Sequence, residues 1–556
     1  MDTKLGWRGL GGGVALGICL LLAPQARAET DEAAEPMAAV FDLPNPPEIR
    51  SVRGLLDTTF VAKLGEVTVG GQTFTSNDYN RLYIPPTLRV KRGDRIRLQL
   101  VNRIQPADVE IDAPQPTNIH FHGMDVTPLP PGDNVFVRVE PGKAFNYDFL
   151  VPANHPEGLH WYHSHLHTVV DPQILSGLSG MLIVDGGIES HYPEFAGLKE
   201  RVMVLKDVNL PGSSAPSRFV NGLANPPIRS RPGELQIWEI GNLGADGFFD
   251  LALEGHEFWV LERDGNFLRA PRKQQTLFLP PGARTLVVVR AGAAGRYFFQ
   301  TKAVNTGPTG LPSPRARLGT FIVEGQPLLT DAQARRLERP AANIAGIGLT
   351  GEELRTMPVA KRRTFTFSDA ADFSAFYING KTYDEDRIDT TVRLGDVEEW
   401  TIKNAAGELH VFHLHQTSFL VKEVNGVQQD YPGLRDVINV PWQSNGRPGE
   451  VKLLIPFTNP IMVGKFVYHC HIVGHEDAGM MQNVEVVRQR SYAQELWDDL
   501  RQLAADELPT GFPGASTVLA DAGFAGNEAG LPPGLSLNQP GAICRPPRTL
   551  TAAGAP

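Results

Sequence analysis

The histidines of this chain are distributed unevenly, in a pattern typical of metal-binding proteins. Ten of the fifteen histidines fall in four short clusters. Imidazole is the commonest metal ligand among side chains, although a single histidine in a β protein is usually structural. Four clusters together favour metal binding. They are His120 with His122, His163 with His165, His410 with His413 and His415, and His469 with His471 and His475.

The spacing inside the clusters predicts which side chains share a direction. On a β-strand, side chains two residues apart point to one face, while adjacent side chains point to opposite faces. Cys470 should therefore point away from the two histidines that flank it. By the same rule, His410 should point away from His413 and His415. The pattern predicts two metal sites on opposite sides of the same strands.

The first predicted site collects Cys470, His410 and His475. One thiolate and two imidazoles in a plane, with a weak thioether above them, suit a blue copper ion. Met480 lies five residues beyond His475 and is placed to be the axial ligand. The alternative is a methionine of the hydrophobic core, because Met481 follows and only one of the two can face the metal. The spacing favours Met480.

The second predicted site collects the other eight clustered histidines. Eight imidazoles are too many for one first-row ion and suit a small cluster of ions. Half of them come from the N-terminal part of the chain and half from the C-terminal part, so the cluster should lie at a domain interface. Metal binding and folding would then be coupled. The eight are His120, His122, His163, His165, His413, His415, His469 and His471.

The strands that carry these residues belong to a unit that the chain repeats three times. Each copy has a turn of glycine and an acidic residue that leads into an apolar strand. A later glycine in copies one and three is followed, five and seven positions on, by two histidines. Copy two has Gln300 and Lys302 at those positions. The middle copy should therefore keep the scaffold without the metal ligands.

These observations predict an all-β protein of three consecutive Greek-key β-sandwiches. The many turn residues, 45 prolines and 56 glycines, agree with that fold class. We expect the sandwiches at residues 45–187, 198–325 and 361–490, with a partly helical linker at 326–360 and a C-terminal tail at 491–556. The tail contains Cys544, for which the sequence indicates no role.

The N-terminus has the order of a secretory signal peptide. Lys4 and Arg8 precede an apolar run at residues 14–22, and small residues follow at Ala26 and Ala28. That run is too short to span a bilayer, so we expect a signal peptide at residues 1–28 and an exported protein, periplasmic or extracellular, without stable membrane insertion. The net charge of -10 argues against a nucleic-acid partner.

The four clusters resemble the copper-binding motifs of the multicopper oxidases, the group of laccases, ascorbate oxidase and ferroxidases. The resemblance covers nearly the whole chain up to about residue 490, and the run from His469 through Cys470, His471 and His475 to Met480 is highly specific. It implies three cupredoxin-like domains and four copper ions, one of type 1, one of type 2 and two of type 3.

The resemblance also implies an assignment of the ligands. The type 2 copper would bind His120 and His413. One type 3 copper would bind His122, His163 and His471, and the other would bind His165, His415 and His469. The alternation of side chains cannot decide this division.

The resemblance further implies single-electron oxidation of a donor and four-electron reduction of dioxygen to water. Electrons would reach the type 1 copper through the edge of His410 or His475, whichever reaches solvent. They would then leave from Cys470 along the backbone to the flanking histidines, His469 and His471.

Reduction of dioxygen also consumes protons, which need carboxylates near a buried cationic site. Glu476 resembles the family residue that supplies them. Asp133 is a second candidate, and an ordinary turn aspartate is the equal alternative for it.

The sequence defines the electron donor less well than it defines the copper sites. A laccase-like oxidase of phenols and aromatic amines is the main expectation. Oxidation of cuprous or ferrous ions, in copper tolerance or metal homeostasis, is the alternative. Cuprous oxidases often carry methionine-rich insertions, whereas this chain has nine methionines that do not cluster beyond Met480 and Met481. A copper-storing protein and a copper-free binding protein are further alternatives, although every expected ligand is present.

Overall fold

The computed structural model describes residues 41–104, 115–343, 348–431 and 433–488 of the chain. The strands of these residues form six sheets. The predicted signal peptide and the predicted tail with Cys544 lie outside the described residues. Within the described ranges, no helix is long and apolar enough to cross a membrane.

The first sandwich consists of a five-stranded and a four-stranded sheet, ordered β1-β4-β9-β8-β6 and β3-β2-β5-β7. Its strands are β1 (Glu48–Arg50), β2 (Leu55–Val69), β3 (Gln72–Tyr79), β4 (Thr87–Lys91), β5 (Arg95–Asn102), β6 (His120–His122), β7 (Ala144–Leu150), β8 (Gly158–His163) and β9 (Ser179–Asp185). Buried and exposed residues alternate along β5, so Leu98 and Leu100 face the core as period two requires.

The second sandwich has sheets ordered β11-β10-β13-β18-β15-β16 and β12-β20-β19-β14-β17. Trp238 on β13 is fully buried between them. The strands are β10 (Lys199–Val208), β11 (Ser217–Val220), β12 (Pro227–Ser230), β13 (Leu235–Asn242), β14 (Phe249–Leu253), β15 (Phe258–Arg263), β16 (Asn266–Gln274), β17 (Leu277–Leu279), β18 (Arg284–Arg290), β19 (Gly295–Lys302) and β20 (Ala316–Val323).

The third sandwich repeats the arrangement, with sheets ordered β22-β21-β24-β29-β26-β27 and β23-β31-β30-β25-β28. Trp400 on β24 takes the buried place that Trp238 has in the second. The strands are β21 (Lys361–Asp369), β22 (Phe376–Ile378), β23 (Thr390–Arg393), β24 (Val397–Asn404), β25 (His410–Leu414), β26 (Leu420–Val424), β27 (Val427–Gln428), β28 (Val437–Val440), β29 (Gly449–Pro456), β30 (Gly464–Cys470) and β31 (Met481–Val487).

The helices of the described residues are short. They are α1 (Val170–Leu175), α2 (Gly187–His191), α3 (Asp331–Ala334), α4 (Gly351–Thr356) and α5 (Val473–Asp477), with single 3-10 turns at Pro193–Phe195, Arg335–Glu338 and Pro460–Met462. Two of them, α3 and α4, lie in the segment predicted as a partly helical linker. The predicted all-β fold of three consecutive cupredoxin-like sandwiches is confirmed, while the exact domain boundaries stay a prediction.

Two antiparallel strand pairs carry most of the clustered histidines. In the first sandwich β6 pairs with β8, and His120 lies opposite His163. In the third, β25 pairs with β30 in a register that sets His413 opposite His469 and Phe412 opposite Cys470. Residues that lie opposite each other share a face. The side of the sheet that carries Cys470 is therefore separate from the side that carries His413 and His469.

Candidate metal centres

Cys470, His410 and His475 meet at one buried point in the third sandwich. Cys470 Sγ lies 3.6 Å from His410 Nδ1 and 3.9 Å from His475 Nδ1, and the two Nδ1 atoms are 3.1 Å apart. One sulfur atom and two imidazole nitrogen atoms therefore face one another at this point. This donor set fits a copper ion of the blue type.

The thiol of Cys470 needs a cation to become a ligand. Burial raises its pKa to about 12, although the backbone N–H of Val411 lies 3.4 Å from Sγ and lowers it in part. A bound metal ion reverses this preference, because it deprotonates a coordinating thiol outright. The site is therefore suited to a metal and poorly suited to a free thiolate.

The two neighbouring methionines pack in different places. Met480 belongs to the same hydrophobic core as Cys470, and its carbonyl accepts a hydrogen bond from the Cys470 N–H at 3.0 Å. Met481 packs instead in a small cluster with Val135 and Val467. Met480 therefore shares a core with Cys470 whereas Met481 does not, and the axial role of Met480 stays a prediction.

Only one of the two histidines of this site reaches the surface. His410 has no exposed area, whereas His475 is 8% exposed. The Phe376 ring stacks on the His475 ring with centroids 4.0 Å apart. A carboxylate oxygen of Glu408 lies 3.6 Å from His475 Nε2. Glu408 was not among the predicted residues, although it lies only two positions before His410.

The eight remaining clustered histidines form one buried group between the first and third sandwiches. His469 Nε2 lies 3.2 Å from both His165 Nε2 and His415 Nε2. His471 Nε2 lies 3.2 Å from His122 Nδ1. Two ring pairs, His120 with His415 and His122 with His413, stack with centroids 3.9 Å apart.

These imidazoles are oriented as metal ligands are. His413 and His163 each donate Nδ1–H to a backbone carbonyl at 2.8 Å, and their buried Nε2 atoms have no hydrogen-bond partner. Such second contacts set the tautomer and turn the other nitrogen to a metal. Burial and neighbouring imidazoles hold the pKa values of both rings well below their usual range. Neutral rings with free lone pairs fit copper ions, because a ligand histidine must be unprotonated.

The structure groups the eight imidazoles only partly as the predicted ligand sets do. His165, His415 and His469 converge on one point, as in one predicted set, whereas His120 and His413 converge with His415 on another. His122 and His163 converge with His120, and His471 Nε2 lies 3.2 Å from His122 Nδ1. Which set would bind which copper stays a prediction.

Glu476 lies against two rings of the cluster. One carboxylate oxygen is 2.9 Å from His469 Nδ1, and the other is 3.3 Å from His165 Nδ1. Glu476 is fully buried, which raises its pKa to about 7 against the opposing effect of His165 and His120. A carboxyl group with such a pKa can both hold and release a proton near neutral pH.

Asp133 is also in contact with the cluster. A carboxylate oxygen lies 3.0 Å from His120 Nδ1, and Asp133 further accepts hydrogen bonds from the Phe121 N–H at 2.9 Å and the Gln416 side chain at 2.8 Å. These contacts orient His120, which an ordinary turn aspartate would not do. Participation of Asp133 or Glu476 in proton transfer stays a prediction.

The middle sandwich contributes residues that the sequence analysis did not identify. Arg284 is fully buried and pairs with both oxygens of Asp436 at 2.6 and 2.8 Å. The Asp436 carbonyl is the acceptor for His413, and its carboxylate lies 3.4 Å from His122 Nε2. Gly282 approaches so closely, at φ +84°, that a Cβ there would lie 2.9 Å from His471 Nε2. The ligand-free unit therefore forms one wall of the cluster.

The chain matches known proteins over most of its length. Three models of the multicopper oxidase family match residues 62–187, 159–318 and 355–490, which together are more than half of the chain. A multicopper oxidase of Staphylococcus haemolyticus is 25% identical over 455 residues, covering 78% of this chain and 89% of the relative. The cell division protein FtsP of Rahnella sp. is 26% identical over 474 residues, covering 80% and 92%.

A solved structure has the same fold. A multicopper oxidase from Campylobacter jejuni, described as a metallo-oxidase, superposes with a TM-score of 0.67 at 23% identity. The match covers 80% of this chain and 95% of the other. The histidine groups and the three family matches agree with each other. The chain belongs to the multicopper oxidase family, which implies a copper-dependent oxidoreductase.

Proposed function

We propose that the protein is a four-copper oxidase that takes single electrons from a donor and reduces dioxygen to water. The observation that carries the proposal is the register of β25 and β30. It sets Cys470 on one face of the sheet and His413 with His469 on the other. Two sites of different chemistry thereby share one pair of strands, so a short covalent path joins the electron-accepting site to the oxygen-reducing site.

The donor atoms suit the proposed coppers. Bound copper would supply the one-electron redox chemistry and the activation of dioxygen. The type 1 ion would be held by Cys470, His410, His475 and Met480. The type 2 ion and the two type 3 ions would be held by His120, His122, His163, His165, His413, His415, His469 and His471.

The backbone offers short routes between the two sites. Cys470 is bonded through single peptide units to His469 and His471, one on each side. In addition, His469 Nδ1 donates a hydrogen bond to the Cys470 carbonyl at 2.9 Å. Electrons would arrive through His475, because its edge is partly exposed and His410 is not.

Glu476 and Asp133 would transfer protons at different rings of the cluster. Glu476 contacts His165 and His469, and Asp133 contacts His120. Glu476 has the more direct role in this proposal, because its buried carboxyl group has a pKa near neutrality. Asp133 would chiefly orient His120.

For the donor we propose phenols and aromatic amines, as in laccases. A phenol must lose a proton when it loses an electron, and Glu408 is placed beside His475 to accept it. The same carboxylate favours a second candidate function, the oxidation of a ferrous or cuprous ion, because it could bind the cation at the point of electron transfer. We further propose, from the N-terminal sequence alone, that the protein is exported.

Steady-state oxidation of a phenol, of ferrous ion and of cuprous ion, measured side by side, tests the choice of donor. A phenol oxidase predicts the highest kcat/KM for the phenol. Glu408→Gln should then lower kcat/KM for the phenol, and Glu66→Gln, a change on the exposed face of β2, should not. Saturable turnover of a metal ion alone would support the second candidate. Absence of turnover with all three donors despite full copper would favour a copper-storing protein.

A further inference from the structure

A cleft of about 640 Å³ lies between the second and third sandwiches, and none of the proposed copper ligands lines it. Its walls come from the β15–β17 region on one side and from residues 424–439 on the other. Polar and cationic side chains dominate the lining, including Arg263, Gln274, Thr276, Arg435 and Asn439. Among the described residues that line it there is no aspartate or glutamate.

The two arginines of this cleft have guanidinium N–H groups that make no hydrogen bond with the described residues. Arg263 is only 7% exposed, and its side chain makes one hydrogen bond to a residue that the structure describes, from Nη2 to Gln274 Oε1 at 2.9 Å. Arg435 makes no ion pair and no side-chain hydrogen bond with any residue that the structure describes. The Nε atoms of both arginines are buried and have no hydrogen-bond partner within the described ranges. Buried donors are normally satisfied, so both groups call for an explanation.

The two guanidinium groups also share an aromatic neighbour. Both stand over the Tyr431 ring, with the Arg263 and Arg435 Cζ atoms 6.0 and 4.5 Å from its centroid. Burial and the charge of Arg263 lower the pKa of Arg435. Asp264 also acts on Arg435, but its Oδ1 accepts the Arg284 backbone N–H at 2.8 Å, and it makes no ion pair with Arg263 or Arg435. A half-buried guanidinium group beside a second cation is unfavourable unless an anion offsets the charge.

We propose that Arg263 and Arg435 form a binding site for a small oxyanion, a phosphate or carboxylate group. Guanidinium groups bind such groups through paired, charge-assisted hydrogen bonds, and the amide side chains of the cleft add neutral donors. Because one arginine belongs to the second sandwich and the other to the third, the bound anion links the two sandwiches. Arg435 directly precedes Asp436, which contacts His122 and His413, so the bridge is adjacent to the wall of the cluster.

Thermal unfolding of the full-length, copper-loaded protein tests this site. Inorganic phosphate and succinate are titrated separately against sodium chloride of equal ionic strength. An anion that binds only the folded state raises the unfolding temperature with concentration. The site predicts such a rise for at least one oxyanion, and the comparison of the two identifies the preferred group. Calorimetric titration of phosphate supplies the affinity directly.

Variants separate anion binding from a structural role of the arginines. Arg435→Gln and Arg263→Gln should each weaken oxyanion binding about tenfold or more, because each removes a charge-assisted contact. In chloride alone, Arg435→Gln should be at least as stable as the wild type, since a like-charge contact is relieved. Arg272→Gln is the matched control, because Arg272 also stands over Tyr431 but does not line the cleft.

Three results would overturn the proposal. The first is an unfolding temperature that rises no more with phosphate or succinate than with chloride. The second is an unchanged anion response in both cleft variants. The third is an Arg435→Gln protein that is destabilised equally with and without oxyanion, which would assign the arginine to the packing of Tyr431.

Discussion

Arg284 of the second sandwich and Asp436 of the third form a fully buried, bidentate ion pair, with Nη1–Oδ1 and Nη2–Oδ2 distances of 2.6 and 2.8 Å. Arg284 also donates to the Leu159 carbonyl of the first sandwich at 3.0 Å. One side chain of the unit without copper ligands thus contacts both units that carry them. The middle sandwich has a direct structural role at the eight-histidine cluster.

Breaking this pair should destabilise the protein and disturb the cluster. Arg284→Gln leaves the Asp436 carboxylate buried without its partner, a change that typically costs about 3–5 kcal/mol. Because Asp436 contacts His122 and His413, the variant should also bind less copper at the cluster. Chemical denaturation and copper analysis measure the two effects.

An exposed ion pair supplies the control for that experiment. Arg138→Gln removes the partner of Glu140, and both side chains are more than half exposed, so stability should change by less than about 1 kcal/mol. Equal stability of Arg284→Gln and Arg138→Gln would show that the buried pair does not hold the sandwiches together.

The axial ligand can be tested at the neighbouring methionines. Met480→Leu should keep the blue colour and raise the reduction potential of the type 1 copper, because a weak thioether donor favours the oxidised ion. Met481→Leu should leave the potential unchanged, since Met481 packs with Val135 and Val467. A redox titration that finds the shift in Met481→Leu and not in Met480→Leu would reverse the assignment.

Glu476→Gln tests the proton supply. Glutamine keeps the size and hydrogen-bonding capacity of the side chain but cannot donate a carboxyl proton. The variant should bind copper, be blue and accept electrons at a normal rate, while its reoxidation by dioxygen slows by about 10²–10⁴-fold. Stopped-flow reoxidation measures this step separately from reduction.

The opposite result would give Glu476 a structural role. A reoxidation rate reduced less than about tenfold would mean that another route supplies the protons. A shifted blue-copper spectrum or loss of copper would mean that Glu476 holds the turn between His475 and Met480 in place.

Local alternation explains why so much of the two sites could be predicted. Cys470 and His469 are neighbours in sequence, and a strand must point them to opposite faces whatever surrounds it. The contacts of Arg284, Asp436 and Glu408 have no such local cause. They depend on how separate sandwiches and loops pack, and no spacing rule links residues 152 positions apart, the separation of Arg284 from Asp436.

The copper content of the wild type and of Cys470→Ser, determined together with their absorption spectra, tests the central claim most directly. Two separate sites on opposite faces of β25 and β30 predict four coppers per chain and an intense blue colour in the wild type. They predict three coppers, no blue colour and no turnover in Cys470→Ser. A colourless wild-type protein with full copper, or a Cys470→Ser variant that has lost all of its copper, would contradict the account.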